Sequence, residues 1–265
     1  MLVGLALGLA AIDAAVVRAQ PASQKPDPDA RSRAIADVVA ANQILADQGV
    51  VDGYGHVSVR DPTDPNRFLM ARHVAPELVT AADVLVHDLD GNASAGPDVR
   101  LYSERFIHAE IYRARPDVNA IIHCHSPSLI PFGVTGVPLR PLYHMSSFLG
   151  AGVPVFDIHK ATGRSTDMLI RNPELGRALA RALGAHPVAL MRGHGAVIVG
   201  RDVQQVVYRG VYTMLNAQLQ SQALALGAKV IYLDADEAKQ AEATMDGTLT
   251  RPWALWLRKV KDRVK

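Results

Sequence analysis

The stretch NAIIHCHS, residues 119–126, sets two histidines one residue apart in an apolar run that has the length and composition of a buried strand. Side chains along a strand alternate between its two faces, so His123 and His125 share one face while Cys124 points to the other. Two imidazoles at this spacing can bind one metal ion together. Taken alone, the pair also fits two buried histidines whose ring nitrogens are hydrogen-bonded to carbonyls or helix ends.

A third histidine lies in VALMRGHGAVIVG, residues 188–200, which predicts two strands bent at His194. Glycine on both sides of His194 lets the backbone approach a site closely. Three neutral imidazoles are a common ligand set for Zn²⁺ or another divalent transition metal, and they leave positions open for substrate. Glu104, near the start of the predicted helix in residues 103–116, is the candidate for a fourth ligand. Alternatively, its charge only complements the helix N-terminus.

The remaining pattern predicts an α/β fold. Further helices are predicted over residues 33–48, 173–185 and 202–227, and further strands in residues 53–71 and 79–92. Strands in the middle of the chain, with helices outside them and both hairpins and crossovers as connections, predict one three-layer α/β/α domain over residues 33–265 with a mainly antiparallel or mixed sheet. The C-terminal residues 249–265 predict a helix that packs on a neighbour or over the active site.

Composition and the chain ends limit the classes of function. The net charge is +2 and the Lys and Arg residues are scattered, so no footprint for nucleic-acid binding is present. A single cysteine excludes an intramolecular disulfide. Residues 1–20 are apolar and rich in small residues, like a secretory signal segment, and residues 21–32 form a linker. We expect a periplasmic or exported protein if that segment is a signal peptide, and a cytoplasmic one otherwise; no membrane span is predicted.

Three motifs together resemble the class II aldolase/adducin family, typified by fuculose-phosphate and rhamnulose-phosphate aldolases. They are GHVSVRD at residues 55–61, SERFIHAEIYRARPDVNAIIHCHSP at residues 103–127, and MRGHG at residues 191–195. The resemblance covers about residues 33–230. It implies the class II aldolase fold and a homotetramer with sites between adjacent subunits.

The resemblance also implies roles for the four candidate ligands. His123, His125 and His194 would bind a divalent metal, with Zn²⁺ as first choice and Mn²⁺, Fe²⁺ or Co²⁺ as alternatives. Glu104 matches the family's acidic residue, which binds the metal in the resting enzyme and acts as a base once substrate displaces it. Adducins share the fold but lack the metal site, so the presence of all four residues favours an enzyme.

The sequence departs from the sugar-phosphate aldolases where they bind phosphate. Their Gly-Asn pair, Ser-Gly loop and Ser-Ser pair are replaced here by Gly55-His56, MARHVAPEL at residues 70–78, and Tyr102-Ser103. We therefore expect phosphate binding to be lost. The new groups predict a small carboxylate substrate, bound by Arg72 through parallel N–H to oxygen bonds, although a solvated loop charge is the alternative for this arginine. The other predicted substrate-binding residues are His73, His56 and Ser103.

The proton donor differs as well. Where the aldolases offer a tyrosine from a neighbouring subunit, the matching stretch PLYHM, residues 141–145, places His144, with Tyr143 just before it. Either side chain could donate a proton, or both could pack at a subunit interface. His108, one helical turn after Glu104, could orient that carboxylate or merely share its helix face.

Such a metal site supports stabilisation of an enolate, which serves both retro-aldol cleavage and decarboxylation. The sequence therefore predicts a metal-dependent carbon–carbon lyase, an aldolase or a decarboxylase, that acts on a small non-phosphorylated hydroxy- or keto-carboxylate. Two alternatives stay open: an Fe(II)-dependent oxygenase on the same scaffold, and a non-catalytic adducin-like binding module. Metal analysis combined with dependence on O₂ separates these functions.

Overall fold

The structure, a computed structural model, describes residue 27 and residues 29–263. The expected signal segment, residues 1–20, lies outside the described residues. The first helix begins at Ala30, inside the stretch that the sequence assigned to a linker. No helix among the described residues is both long enough and apolar enough to cross a membrane.

The described residues form one sheet with helices on both sides. The strands are β1 (His56–Arg60), β2 (Arg67–Ala71), β3 (Val84–Asp88), β4 (Ala120–Cys124), β5 (Val155–Phe156), β6 (Val188–Met191) and β7 (Gly195–Gly200). The α-helices are α1 (Ala30–Asp47), α2 (Arg105–Ala114), α3 (Ile130–Val134), α4 (Ile158–Thr162), α5 (Pro173–Leu183), α6 (Val203–Ala225), α7 (Ala235–Asp246) and α8 (Thr250–Arg263). Short 3₁₀ segments connect some of them, the longest over His144–Ala151.

The seven strands follow the order β3-β2-β1-β4-β7-β6-β5, so β4, which carries His123, is central. All neighbouring pairs are antiparallel except β5 with β6. Every side chain of β4 is buried because helices cover both faces of the sheet, which explains its unbroken apolar run. The predicted three-layer fold with a mixed, mainly antiparallel sheet is confirmed.

The alternation of side chains along β4 divides the core into two layers. Ile122 packs in one cluster with side chains of α1, α6 and α8. Ile121 packs in the other cluster with side chains of α2 and α5. His123 lies two residues from Ile121, so its imidazole shares the α2 side of the sheet.

The C-terminal helix α8 belongs to the core of its own chain. Trp253 and Trp256 are buried among apolar side chains of α1 and α6, and the Trp256 ring lies 6.4 Å from that of Tyr212 between centroids. The helix does not line the cavity of its own chain, so that part of the expectation was wrong, whereas packing on a neighbour stays a prediction. The spacing of its apolar residues predicts that one face of the helix is buried, but it does not predict which elements pack against that face.

Candidate metal centre

Four side chains from three parts of the chain converge at one end of the sheet. Nε2 of His125 lies 2.9 Å from Nε2 of His123 and 3.0 Å from Nε2 of His194. The carboxylate atom Oε2 of Glu104 lies 3.4 Å from Nε2 of His123 and 3.5 Å from Nε2 of His194. All four ligand atoms lie within 4.8 Å of one another. The four candidate metal ligands are therefore brought together as one group.

The hairpin between β6 and β7 places His194 beside the end of β4. Cys124 pairs with Ala196 in the antiparallel register of β4 and β7, so the bend of the hairpin lies next to His125. Gly193 has a φ of +64°, and a Cβ on Gly195 would lie 2.0 Å from the carbonyl oxygen of Cys124. Glycine is needed at both positions, once for conformation and once for close approach.

Backbone groups behind the site fix the orientation of three ligands. Nδ1 of His123 donates to the Ala196 carbonyl at 3.1 Å, and Nδ1 of His194 donates to the Met168 carbonyl at 2.9 Å. A carbonyl only accepts, so both Nδ1 atoms carry the proton and both Nε2 atoms present lone pairs to the site. The Ile170 N–H donates to Oε1 of Glu104 at 2.9 Å, which leaves Oε2 for a ligand.

The electrostatics fit a divalent cation. Burial raises the pKa of Glu104, and positive charge beside it, on His123 and His194 or on a cation between them, holds this pKa well below its ordinary value. Burial and the same two histidines lower the pKa of His125 to about 4, so this imidazole is neutral at pH 7. Converging lone pairs and an ionised carboxylate repel one another unless a cation lies between them. Three imidazoles and one carboxylate suit Zn²⁺ and also Mn²⁺, Fe²⁺ or Co²⁺.

The segment around Met168 was missed by the sequence analysis. Met168 is the single non-glycine residue with positive φ among the described residues, at φ 69°, a conformation that costs about 1–2 kcal/mol. Its carbonyl holds His194, and the N–H of Ile170 holds Glu104. No pattern in residues 164–170 signals this role, because backbone groups make both contacts.

A cavity of about 340 Å³ opens beside the four ligands, and Glu104 and His125 form part of its wall. The remaining polar lining residues are Tyr54, His56, His73, Arg100, Tyr102, Ser103 and Arg171. Three residues predicted to bind substrate, His56, His73 and Ser103, therefore meet the candidate metal ligands in one cavity. Ser103 does not also cap α2, because Glu104 occupies the N-cap position.

The Tyr102 ring lies between the rings of two histidines and is tilted against both, by 41° and 46°. Its centroid lies 4.6 Å from that of His56 and 5.4 Å from that of His73. The Tyr102 hydroxyl donates to the Val74 carbonyl and so anchors the loop that follows β2. The positions that match the phosphate-binding elements of the sugar-phosphate aldolases in sequence thus carry three rings tilted against one another.

Arg72 is not among the residues that line the cavity. Its Nε donates to Oδ1 of Asp83 at 2.7 Å, and its backbone N–H donates to the Asp83 carbonyl at 2.8 Å. The guanidinium is therefore satisfied locally, on the flank of the sheet. Arg100 lines the cavity in place of Arg72, because the N–H of His73 donates to the carbonyl of Arg100 and brings that arginine to the site.

The two arginines of the cavity differ in their partners. Nε of Arg171 donates to Oδ2 of Asp167 at 2.5 Å. Within the part of the chain that the structure describes, the Arg100 guanidinium has no hydrogen bond or ion pair. Arg100 is thus the cation that is available to an anionic ligand.

Tyr143 and His144 do not line the cavity of their own chain. His144 is exposed, and the Tyr143 ring packs 6.4 Å from that of Tyr212 on α6. Of the two alternatives for His108, no hydrogen bond to Glu104 is present among the described residues, and its ring contacts His56 and Ser58 instead. His56 Nδ1 lies 2.7 Å from His108 Nε2, and the Ser58 hydroxyl oxygen lies 2.6 Å from His108 Nδ1.

Comparisons with known proteins identify relatives of this chain. Decarboxylase tropJ from Talaromyces stipitatus is 37% identical over 247 residues, which cover 84% of this chain and 92% of that protein. A 3,4-dihydroxyphthalate decarboxylase from Arthrobacter keyseri is 30% identical over 76% of this chain and 84% of that protein. A 4-hydroxy-3-prenylphenylpyruvate oxygenase/4-hydroxy-3-prenylbenzoate synthase from Streptomyces roseochromogenus is 30% identical over 64% of this chain and 59% of that protein.

The solved structures show the same fold. L-fuculose 1-phosphate aldolase from Glaciozyma antarctica superposes with a TM-score of 0.69 over 88% of this chain and 90% of that chain, at 24% identity. The family model described as Class II Aldolase and Adducin N-terminal domain matches residues 36–221. The chain therefore belongs to the class II aldolase and adducin family.

Proposed function

We propose that this protein is a metal-dependent carboxy-lyase that removes CO₂ from a small hydroxylated aromatic acid. The observation that carries the proposal is the group Glu104, His123, His125 and His194, which opens into a cavity lined by flat rings and an unpaired arginine. Relatives named as decarboxylases support cleavage of a bond to CO₂ rather than to an aldehyde.

The four converging side chains would hold one divalent metal, Zn²⁺ as first choice. When bound, the metal supplies Lewis-acid stabilisation of the negative charge that develops on substrate oxygens. Oε2 of Glu104, held close by the Ile170 N–H on its other oxygen, would take the proton of a substrate hydroxyl that displaces it from the site.

Arg100 would bind a carboxylate that stays on the product. A departing carboxylate loses its negative charge as CO₂ forms, so a cation that held it would stabilise the ground state more than the transition state. A guanidinium therefore favours turnover only if it holds another anionic group. A diacid with one retained carboxylate meets this condition, and 3,4-dihydroxyphthalate, the substrate in the name of one relative, is such a diacid.

The test compares two arginines on a panel of hydroxylated aromatic mono- and diacids, with CO₂ release as the assay. Loss of a charge-assisted hydrogen bond costs about 1.5–3 kcal/mol, so we expect Arg100→Ala to raise KM for a diacid by roughly 10–100-fold. Arg72→Ala, the matched control on the flank of the sheet, should leave KM unchanged. A KM increase in Arg72→Ala alone would restore the prediction from the sequence.

The proton that replaces CO₂ would come from a neighbouring subunit. We propose a homotetramer in which Tyr143 or His144 reaches the cavity of the adjacent chain, because neither reaches the cavity of its own chain. The exposed apolar side chains Leu226 and Ile231, at 82% and 85% exposure, support a further interface after α6. Light scattering tests the assembly, and an active monomer would exclude this role for both residues.

An Fe(II)-dependent oxygenase is the second candidate, favoured by the relative whose name includes the word oxygenase. Three imidazoles and a carboxylate also bind iron and leave a position for O₂. The two functions differ in what they consume. Turnover that requires iron and takes up O₂ would support the oxygenase, whereas anaerobic CO₂ release with Zn²⁺ or Mn²⁺ would support the lyase.

A further inference from the structure

We propose that Tyr112, Ser58 and His108 form a directed hydrogen-bond chain that fixes His56 as a neutral imidazole with its N–H at Nε2, aimed at the substrate. The inference rests on the proposed function only for the identity of the ligand, an oxygen that accepts this hydrogen bond. This hydrogen-bond chain gives β1 and α2 a role in substrate recognition that is distinct from those of the metal ligands and the arginines.

The four side chains are linked without a gap. The Tyr112 and Ser58 hydroxyl oxygens lie 2.9 Å apart, Ser58 Oγ lies 2.6 Å from His108 Nδ1, and His108 Nε2 lies 2.7 Å from His56 Nδ1. All four residues are buried, at 2%, 0%, 0% and 4% exposure along the chain from Tyr112 to His56. Only His56 lines the cavity.

Hydrogen bonding determines the direction of the chain. If the Tyr112 hydroxyl donates to Ser58, then Ser58 donates to Nδ1 of His108, and Nε2 of His108 donates to Nδ1 of His56. Every buried hydrogen then has an acceptor. In the opposite direction the Tyr112 hydroxyl would have to donate elsewhere, and no acceptor for it exists among the described residues. A buried donor without an acceptor disfavours that direction by roughly tenfold or more.

The first direction leaves His56 with its N–H at Nε2. The His56 ring lies 5.1 Å from that of His123 between centroids, so this ring is next to a candidate metal ligand. An Nε2 that carries hydrogen cannot bind the metal, so His56 instead selects a substrate oxygen that accepts a hydrogen bond.

The test reads the tautomer of His56 directly by solid-state NMR of the full-length protein labelled with ¹⁵N-histidine, both metal-free and loaded with Zn²⁺ alone. A His56→Gln spectrum assigns the resonances. We expect the Nε2–H tautomer in the native protein and a mixture of tautomers in Ser58→Ala, which interrupts the chain. Ser147→Ala is the matched control, because the Ser147 hydroxyl is also buried but has no partner among the described residues.

A second pair of variants separates the effect of the hydrogen bond to His56 from the effect of side-chain packing at position 108. His108→Gln keeps an N–H donor for Nδ1 of His56 and should retain the Nε2–H tautomer, whereas His108→Leu should not. In the active enzyme we expect Ser58→Ala and His108→Leu to lose roughly 10–100-fold in kcat/KM, with recovery in His108→Gln. An Nδ1–H tautomer in the native protein, or an unchanged tautomer in both Ser58→Ala and His108→Leu, would overturn the inference. These spectra need no substrate, so a failure of the proposed decarboxylation leaves the test intact.

Discussion

Replacement of Gly195 by alanine should weaken metal binding while the protein stays folded. The added Cβ would lie 2.0 Å from the Cys124 carbonyl oxygen and 3.1 Å from Cα of His125, whereas real Cβ contacts stay beyond 3.0 Å. Neither neighbour is a flexible side chain, so the ends of β4 and β7 must separate by about 1 Å to restore contact distance. Overpacking of this kind costs about 1–3 kcal/mol, which a folded domain with about 5–15 kcal/mol of stability survives.

The same shift moves His194 away from His125, and a displacement of about 1 Å in a site can cost about 10²-fold. We therefore expect Gly195→Ala to stay folded by circular dichroism and to lose at least about 100-fold in Zn²⁺ affinity by isothermal titration calorimetry. Gly96→Ala is the control, since Gly96 has no atom within 4 Å of an added Cβ and no positive φ. Unchanged Zn²⁺ affinity in folded Gly195→Ala would refute the reasoning that close strand approach builds the site.

Three further predictions concern stability and reactivity. Burial lowers the pKa of His87 from 6.5 to about 4. On acidification the unfolded state therefore takes up a proton before the folded state does, and the free energy of unfolding falls by about 2 kcal/mol between pH 7 and pH 5. Urea titrations at the two pH values should show this loss reduced in His87→Leu; an equal pH dependence in both proteins would contradict it. Trp256→Ala should lower the free energy of unfolding by about 3–5 kcal/mol, because α8 is part of the core, and a change below about 1 kcal/mol in urea unfolding would show that α8 is peripheral. Burial raises the pKa of the Cys124 thiol to about 11, so a thiol reagent should label the protein only after unfolding. Rapid labelling of the native protein would disagree with the complete burial of Cys124 on β4.

The fold and the group of four ligands were predictable because patterns among neighbouring residues in the sequence indicate both. The spacing of His123 and His125 on one strand face, and the glycines around His194, are properties of neighbouring residues. Glu104 follows from the position of α2 before β4. In each case the side chain that matters lies in a segment whose secondary structure was clear from its apolar pattern.

The groups that support the ligands were not predictable in this way. Met168 and Ile170 act through a carbonyl and an N–H, which every residue carries, so the residue types give no signal. Arg100 reaches the cavity through a backbone hydrogen bond to His73, 27 positions away in the sequence. The contact of His108 with His56 joins α2 to β1, which are distant in the sequence. From the sequence alone, His108 was expected near Glu104, one helical turn before it.

The most direct test of the central claim is the metal content of the purified protein, by elemental analysis after anaerobic handling. The native protein should contain about one divalent metal ion per chain. His125→Ala, which removes the imidazole that approaches both other histidines, should contain none while it stays folded. Native protein that takes up neither Zn²⁺, Mn²⁺, Fe²⁺ nor Co²⁺, or His125→Ala with the native metal content, would contradict the claim that these four side chains form a metal centre.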